Sequence, residues 1–294
     1  MTAPPAPPAT SAATAPPALP AAPAATATAG PPALEVSNQT GTRRARHRAA
    51  TVTEIKAVAR RLLVDQGAAA LSLRAIAREM GVTAPALYRY FDGHEALVEA
   101  LAADFYNELS DAMEAATSAS SGDKSQEPTH AVAHRLMAAA NAFRTWSVSH
   151  PAEFSLIFGT PIPGVGLYDE ESPACMAGQR FGLVFAALFL ELWAARPFAV
   201  PELSELDPRL LPQLDDYRQR LGVDLPIAVV YVFLSCWARI YGLVTMEVFG
   251  HLTFALADAE PAFATELAQI GRLMGLADVL DDDVPFPVRP AATD

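Results

Sequence analysis

Apolar residues recur at helical spacing through most of the 294-residue chain, and no stretch alternates apolar and polar positions as a half-buried strand would. Ile55, Val58, Ala59 and Leu62 place one apolar stripe on a helix that runs to about Gln66, where Gly67 ends it. Leu73, Ile76, Ala77 and Met80 predict a second, shorter helix, opened by Ser72 as N-cap and closed by Gly81. Val82 reads as a buried turn residue. Thr83 reads as the N-cap of a third helix, which tolerates Pro85 because it falls in the first turn. Leu87 and Phe91, four apart, form the inner face of that helix and leave Thr83, Ala84, Tyr88 and Arg89 outside. Asp92-Gly93 makes a turn, and Leu97, Leu101, Phe105 and Leu109 define a fourth helix from His94 to about Ala116.

Beyond a polar, loop-like stretch from Thr117 to Glu127 the same periodicity resumes. It predicts helices over His130–Ser149, over a short segment opened by Pro151, and over Ser172–Ala195, where Ser172-Pro173 is an N-cap followed by proline at the first helical position. The loop from Thr160 to Glu171 is rich in Pro and Gly. Arg196 to Pro212 is irregular, and a short helix follows over Leu211–Leu221. Two long helices close the pattern, Pro226 to about Phe254 and Glu260 to about Ala277, the second with Phe263, Leu267, Ile270 and Met274 on one face. The apolar stretch from Ile227 to Phe254 is too hydrophobic on several sides for a surface helix and is core or interface. The fold class is all-α. Residues 1–42, Pro/Ala/Thr-rich with Glu35 as the only charged side chain, read as a disordered arm. Residues 48–112 form one domain, 128–280 a larger helical one, and 281–294 an acidic, proline-containing tail. Asp281 to Asp283 read there as a solvated run.

The second and third helices, joined by a tight turn, have the layout of a helix-turn-helix, whose second helix offers its N-terminal part to base edges in the major groove. The apolar spacing alone fits an ordinary helical hairpin equally well; the chemistry around it points further. Thr83, Ala84 and Pro85 are small enough for close approach, while Tyr88 and Arg89 supply donors for bases or phosphates. Net charge is −12, which taken alone argues against nucleic acid, but its distribution reverses that inference. Between Arg43 and His94 ten Lys/Arg stand against four Asp/Glu, a surplus of six, so the remainder carries −18. A basic segment on an acidic body is the footprint of a DNA-binding head. The cluster RRARHR, Arg43 to Arg48, precedes it as an arm for phosphates or the minor groove. Candidate contacts to double-stranded DNA on this reading are Arg44, Arg46, Arg48, Ser72, Arg74, Thr83, Ala84, Pro85, Tyr88, Arg89 and Tyr90.

The run ALYRYF, preceded by GVT and by SLRAIAREM, with a long helix on either side, resembles the DNA-binding domain of the TetR family of transcriptional regulators over roughly Arg48 to Asp111. One departure is visible. The family usually carries a phosphate-binding lysine three residues after the motif's phenylalanine; here that place is His94, so the resemblance implies His94 as a further DNA contact, weaker than lysine or made only when protonated. A second, less specific resemblance lies in the body: PAEFSLIFGTPIPG, followed later by WARIYGLVTMEVFGHL, is similar to a TetR-type C-terminal domain recognised by a Trp-x-x-x-His-Gly pattern. Trp237, Tyr241 and Gly242 occupy those places, so tyrosine replaces the histidine, while Gly242 still permits close approach of another helix. The resemblance implies a homodimer formed mainly by the last two long helices, a ligand-binding body and a fourth helix that links head to body.

Three functions are weighed on this basis. The first is a repressor released from a pseudo-palindromic operator by a mostly apolar small molecule. The second is a dimeric DNA-binding regulator without such a ligand, since aromatic residues in a helical body are more often core than pocket. The third, an enzyme, lacks a nucleophile–base pair, paired carboxylates, a phosphate loop or metal spacing. His130 and His134, four apart, have no acidic third ligand between them. Neither a cofactor nor a metal is expected. If the body holds an effector, its lining comes from Phe143, Trp146, Phe158, Phe185, Phe189, Trp193, Tyr231, Trp237 and Tyr241, with Asn141 as a further polar group. Cys175 and Cys236 read as core thiols of a reducing compartment. The N-terminus lacks the basic and apolar regions of a signal peptide, and the apolar run Phe181–Leu190 is too short to span a bilayer. The expected location is cytoplasmic, without a membrane partner.

Overall fold

The computed structural model describes residues 39–120, 127–159 and 171–277, and every regular element among them is helical. Ten α-helices follow in order: α1 (Gln39–Gln66), α2 (Leu73–Glu79), α3 (Ala84–Leu87), α4 (His94–Ala119), α5 (Pro128–Ser149), α6 (Pro151–Phe158), α7 (Pro173–Ala195), α8 (Leu211–Leu221), α9 (Ile227–Val248) and α10 (Glu260–Leu273). Short 3-10 turns at Ala68–Ala70 and Leu203–Glu205 connect them. Most of the expected arm, the tail at 281–294 and the loop from 160 to 170 lie outside the described residues.

The head is α1 to α3 with the first turns of α4. Ile55, Ala59 and Leu63 on α1, Ile76 on α2, Leu87 on α3 and Leu97 and Leu101 on α4 are buried together. Ser72 caps α2 as expected, its hydroxyl accepting the Ala75 N–H at 3.1 Å. Gly81 has φ +68° and lets the chain turn, with its own N–H on Arg78 O and the Val82 N–H on Ala77 O. Two details depart from the sequence pattern. Val82 is 42% exposed rather than buried, because these main-chain bonds turn the chain without its side chain. Helix α1 begins at Gln39, four residues inside the expected arm; adding a turn to an existing helix needs no new nucleus.

The body surrounds the rest of α4, which packs most extensively on α7 and α5. Phe143 of α5, fully buried, is the hub of an aromatic cluster. Its ring centroid lies 5.9 Å from Phe158 of α6, 5.7 Å from Phe181 and 6.4 Å from Phe185 of α7, and 5.6 Å from Trp237 of α9. Edge-to-face and tilted contacts of this kind add to the burial of large apolar surface. The C-terminal carbonyls of α6, which a helix cannot satisfy itself, are claimed by two tyrosines. Tyr106 of α4 donates to Ile157 O at 3.0 Å and Tyr241 of α9 to Phe158 O at 2.9 Å. Burial raises the pKa of both phenols, so both remain donors.

Ends of the later helices also differ from the pattern. Helix α7 has the expected bounds, with the Ser172 hydroxyl accepting from Cys175 N at 3.1 Å. Helix α9 stops at Val248, because Gly250 at φ +69° receives the chain and bonds back to Glu247 O, and α10 stops at Leu273, just before Gly275 at φ +71°. A Cβ on Gly242 would meet nothing within 4 Å, so among the described residues no helix of the same chain approaches that glycine closely, and the position is open. Helices α7 and α9 are 23 and 22 residues long, with windows of mean hydropathy 1.4 and 1.8. Length and composition alone would therefore let them cross a bilayer, which the ten-residue run in α7 did not suggest. Their buried faces serve the body core, through Phe181, Phe185 and Phe189 on α7 and Val229, Phe233 and Ile240 on α9.

Head and body meet at a polar joint. Arg60 of α1 donates from Nε to Glu153 of α6 at 2.8 Å, and from Nη1 and Nη2 to Glu108 of α4 at 2.7 and 3.2 Å. Trp146 of α5 donates its indole N–H to Glu108 at 3.2 Å. Burial alone would push the Glu108 carboxyl up, but the hydrogen bond and charge of Arg60, helped by Trp146 and His150, prevail, and its pKa is lowered.

Phe143 offers the most direct test of this packing. Replacing it with alanine in the full chain should lower unfolding free energy by about 3–5 kcal/mol, the range for buried aromatic truncations. Denaturant unfolding at fixed protein concentration measures this; a loss below about 1 kcal/mol would show that the cluster is not packed as described.

Candidate nucleic-acid interface

The head presents α3 outward because Leu87 at its end and Phe91 just beyond it are drawn into the head core. Regular helix extends only from Ala84 to Leu87, and the chain then tightens through Tyr90, whose N–H bonds Leu87 O at 2.9 Å. Thr83 has the extended backbone of an N-cap, but its side chain makes no capping bond; its carbonyl accepts the Ala86 N–H instead. Thr83, Pro85, Tyr88 and Arg89 are exposed, Tyr88 by 52%, and Ala84 is half-buried. The structure therefore brings the expected base-facing residues together on one surface.

Placement of the flanking candidates is less uniform. Arg74 is exposed in the first turn of α2, and His94 is exposed as the first residue of α4. Ser72 is exposed, yet its hydroxyl oxygen already caps α2. Arg44, Arg46 and Arg48 are exposed on α1, so the basic cluster is helical there rather than an extended arm. Arg48 has a role that the sequence did not reveal. Its Nη1 donates to Arg89 O at 3.1 Å, and its guanidinium lies 5.4 Å from the centroid of the Tyr90 ring. Arg48 thus ties the first helix to the end of α3, and Tyr90, half-buried, is the surface on which it rests.

In the body, the candidate effector residues separate into three groups. Phe143, Phe158, Phe185, Trp237 and Tyr241 converge in the aromatic cluster, with Tyr241 stacked on Trp237 at 5.4 Å. Phe189 packs on Phe198 and Phe233, and Trp193 on Phe198, while Tyr231 is half-buried on α9. Trp146 belongs to neither group; its ring stacks on His150 at the head–body joint. Asn141 is exposed and donates to Met137 O, away from the cluster. Between α5, α7, α9 and α10 runs an apolar crevice of about 40 Å³, lined in part by Met137, Phe185, Phe189, Trp237, Ile240 and Ile270. A small-molecule pocket usually measures roughly 300–1,000 Å³. The rings expected to line an effector site pack on one another, and Phe185, Phe189 and Trp237 also line the crevice. Phe181, Phe233 and Tyr106 belong to the same core; helical spacing from Phe185 and Phe189 would have identified Phe181.

Relatives agree with this architecture. The profile of bacterial regulatory proteins of the tetR family matches residues 55–101, and that of the tetracyclin repressor-like C-terminal domain matches residues 136–270. The chain is 32% identical over 202 residues to the HTH-type transcriptional regulators Rv1816 of Mycobacterium tuberculosis and Mb1846 of Mycobacterium bovis, over 67% of this chain and 80% of each relative. The crystal structure of SCO4313, provisionally assigned as a regulatory protein, is similar at 32% identity and TM-score 0.56, covering 77% of this chain and 98% of that one. A protein of unknown function from Rhodococcus sp. RHA1 shares the fold at 21% identity and TM-score 0.52, over 75% and 93% of the two chains. An all-α chain with an exposed helix-turn-helix on a basic head and both domain profiles in sequence, this protein belongs to the TetR family of DNA-binding transcriptional regulators and is not an enzyme.

Proposed function

We propose that this regulator is a cytoplasmic homodimer that represses transcription by occupying a pseudo-palindromic operator. The observation that carries the reading is the outer face of α3, with Thr83, Pro85, Tyr88 and Arg89 exposed while Leu87 and Phe91 anchor the turn. In this reading Thr83, Ala84 and Pro85 let the backbone approach the major groove, and Tyr88 and Arg89 reach base edges. Arg44, Arg46, Arg74 and His94, with the hydroxyls of Ser72 and Tyr90, meet the phosphates, and the spare donors of Arg48 do the same. Apolar surface left uncovered on α9 supports dimerisation. Tyr231, Leu234 and Leu243 are half-buried and Met246 is exposed, on the helix whose Gly242 is open to an approaching neighbour. A second copy placed there would cover this apolar surface and repeat the head. In this reading Trp237, Tyr241 and Gly242 are a variant of the Trp-x-x-x-His-Gly pattern, supported only by that spacing, and the Tyr241 hydroxyl donates to Phe158 O. Neither Cys175 nor Cys236 forms a disulfide; burial raises the Cys236 pKa to about 11, as suits an inert core thiol in a reducing compartment, while Cys175 is only half-buried.

Arg89→Ala should weaken operator binding by about 1–3 kcal/mol if the arginine is bidentate to a guanine, and leave affinity for random DNA nearly unchanged. Gel-shift titration of both DNAs at one salt concentration decides the matter. Unchanged affinity for both in Arg89→Ala and in Tyr88→Phe would remove α3 from the interface.

An apolar effector is the reading that the crevice supports, since Phe185, Phe189 and Trp237 line it. Such a molecule would have to open the crevice and displace rings of the cluster, shifting a closed state toward an open one. The closed core equally favours a second reading, a dimeric regulator that needs no ligand. Titration of apolar compounds against tryptophan emission, with and without operator, separates the two. An inducer binds more weakly in the presence of operator, by the same factor by which it weakens operator binding. A panel in which every bound compound has identical affinity in both states supports the ligand-free reading.

A further inference from the structure

We propose that Arg60 and Glu153 form a positioning pair that fixes the angle of the DNA-binding head on the body, and that occupancy of the operator is felt through it at Trp146. The inference rests on the DNA-binding reading above and extends it to the joint rather than to the DNA surface. Glu153 stands in the first turn of α6, only 3% exposed, and its carboxylate receives Arg60 Nε from the head helix α1 at 2.8 Å. A carboxylate withdrawn from water is tolerated only with a well-placed partner, and an apolar residue in its place would often be as stable or more so. Here the partner belongs to the other unit of the protein. The joint therefore specifies a geometry: displacement of the head leaves a buried charge unmatched.

Arg60 is suited to this role by its planar fork. While Nε serves Glu153, the two terminal nitrogens hold Glu108 of α4 at 2.7 and 3.2 Å, and the guanidinium lies 5.2 Å from the centroid of Phe105. One side chain of the head is thus registered at once on α4 and α6. A lysine would offer a point charge and could not reproduce that fork. One turn earlier, Lys56 pairs with Asp104 at 2.6 Å, but that contact joins α1 to α4 alone. The body reads the node through Glu108, which also accepts the Trp146 indole N–H at 3.2 Å, and Trp146 is stacked on His150 with ring centroids 5.0 Å apart. His150 Nε2 in turn lies 3.7 Å from Glu108 Oε1. Any change in the Arg60–Glu108 contact alters the surroundings of a tryptophan that does not touch DNA.

The experiment uses the full chain and the operator fragment recovered from its own genome. Variants are Arg60→Gln, Arg60→Lys and Glu153→Gln, each checked for helical content and thermal midpoint. Affinity is measured for the operator, for random DNA, and for operators with one base pair inserted between or deleted from the half-sites. Glu153→Gln and Arg60→Gln should lose operator affinity about ten-fold, within the usual range of coupling, keep random-DNA affinity within about two-fold, and show a smaller penalty for altered spacing. Arg60→Lys should recover only part of the loss. Folded variants with wild-type operator affinity and an unchanged spacing penalty would overturn the proposal and leave the node a structural contact. If the neutral variants fail to fold, Arg60→Lys and the wild-type emission carry the test. Operator should change the emission assigned to Trp146 by comparison with Trp146→Phe, and an unchanged Trp146 signal overturns the proposal. Failure of the DNA-binding reading itself is distinguishable, because the wild-type protein would then prefer no genomic fragment over random DNA.

Discussion

One buried stripe along α4 runs through both halves of this protein. Leu97 and Leu101 lie in the head core, Phe105 and Leu109 at the junction and beyond, and Met113 in the body, all at most 1% exposed. A helix of 26 residues extends about 39 Å at 1.5 Å per residue. The head can therefore move on the body only if α4 moves with it or the contacts along α4 are exchanged for others. Close-packed side chains make such exchanges discrete rather than gradual. The position of α3 relative to the body is in this way a property of core packing, even though the residues that would touch DNA lie at the far surface.

Apolar packing alone would allow the head to swivel, since it has little directionality. Direction comes from the polar groups between the units. Arg60 reaches α4 and α6 together, and Arg48 joins the start of α1 to the end of α3. In the body, Tyr106 and Tyr241 hold the last carbonyls of α6. Helix α6 is thus anchored at its C-terminal end by the body and at its first turn by the head. Among the described residues the apolar crevice of the core measures about 40 Å³, and the rings packed around Phe143 lie close to the anchored end of α6.

Helix content, order and the helix-turn-helix were legible because they rest on local rules: helical spacing, Ser72 and Ser172 as caps, Gly81 as the turn, proline in first turns. Leu87 and Phe91 were assigned inward from spacing alone, and the exposed face of α3 followed. Other features depend on partners distant in sequence. Nothing near Arg60 indicates that it meets Glu108 and Glu153, 48 and 93 residues away. Nor does the composition of α5 show that Trp146 turns to the joint while Phe143 turns to the core. Helix ends were misjudged where a glycine with positive φ ended α9 and, just beyond it, α10, since glycine in a sequence permits that conformation without requiring it. The distinction between aromatic core and aromatic pocket is likewise invisible in composition. Both need the same residues, and only packing density separates them.

On the proposed reading two copies of this chain read DNA through α3, held in register by the bodies. Footprinting of the full chain on the genomic fragment it selects, combined with sedimentation of the complex, measures this. A dimer should protect two inverted half-sites whose centres lie about 34–36 Å apart or a multiple of it. Protection of a single asymmetric half-site by protein that sediments as a monomer would contradict it.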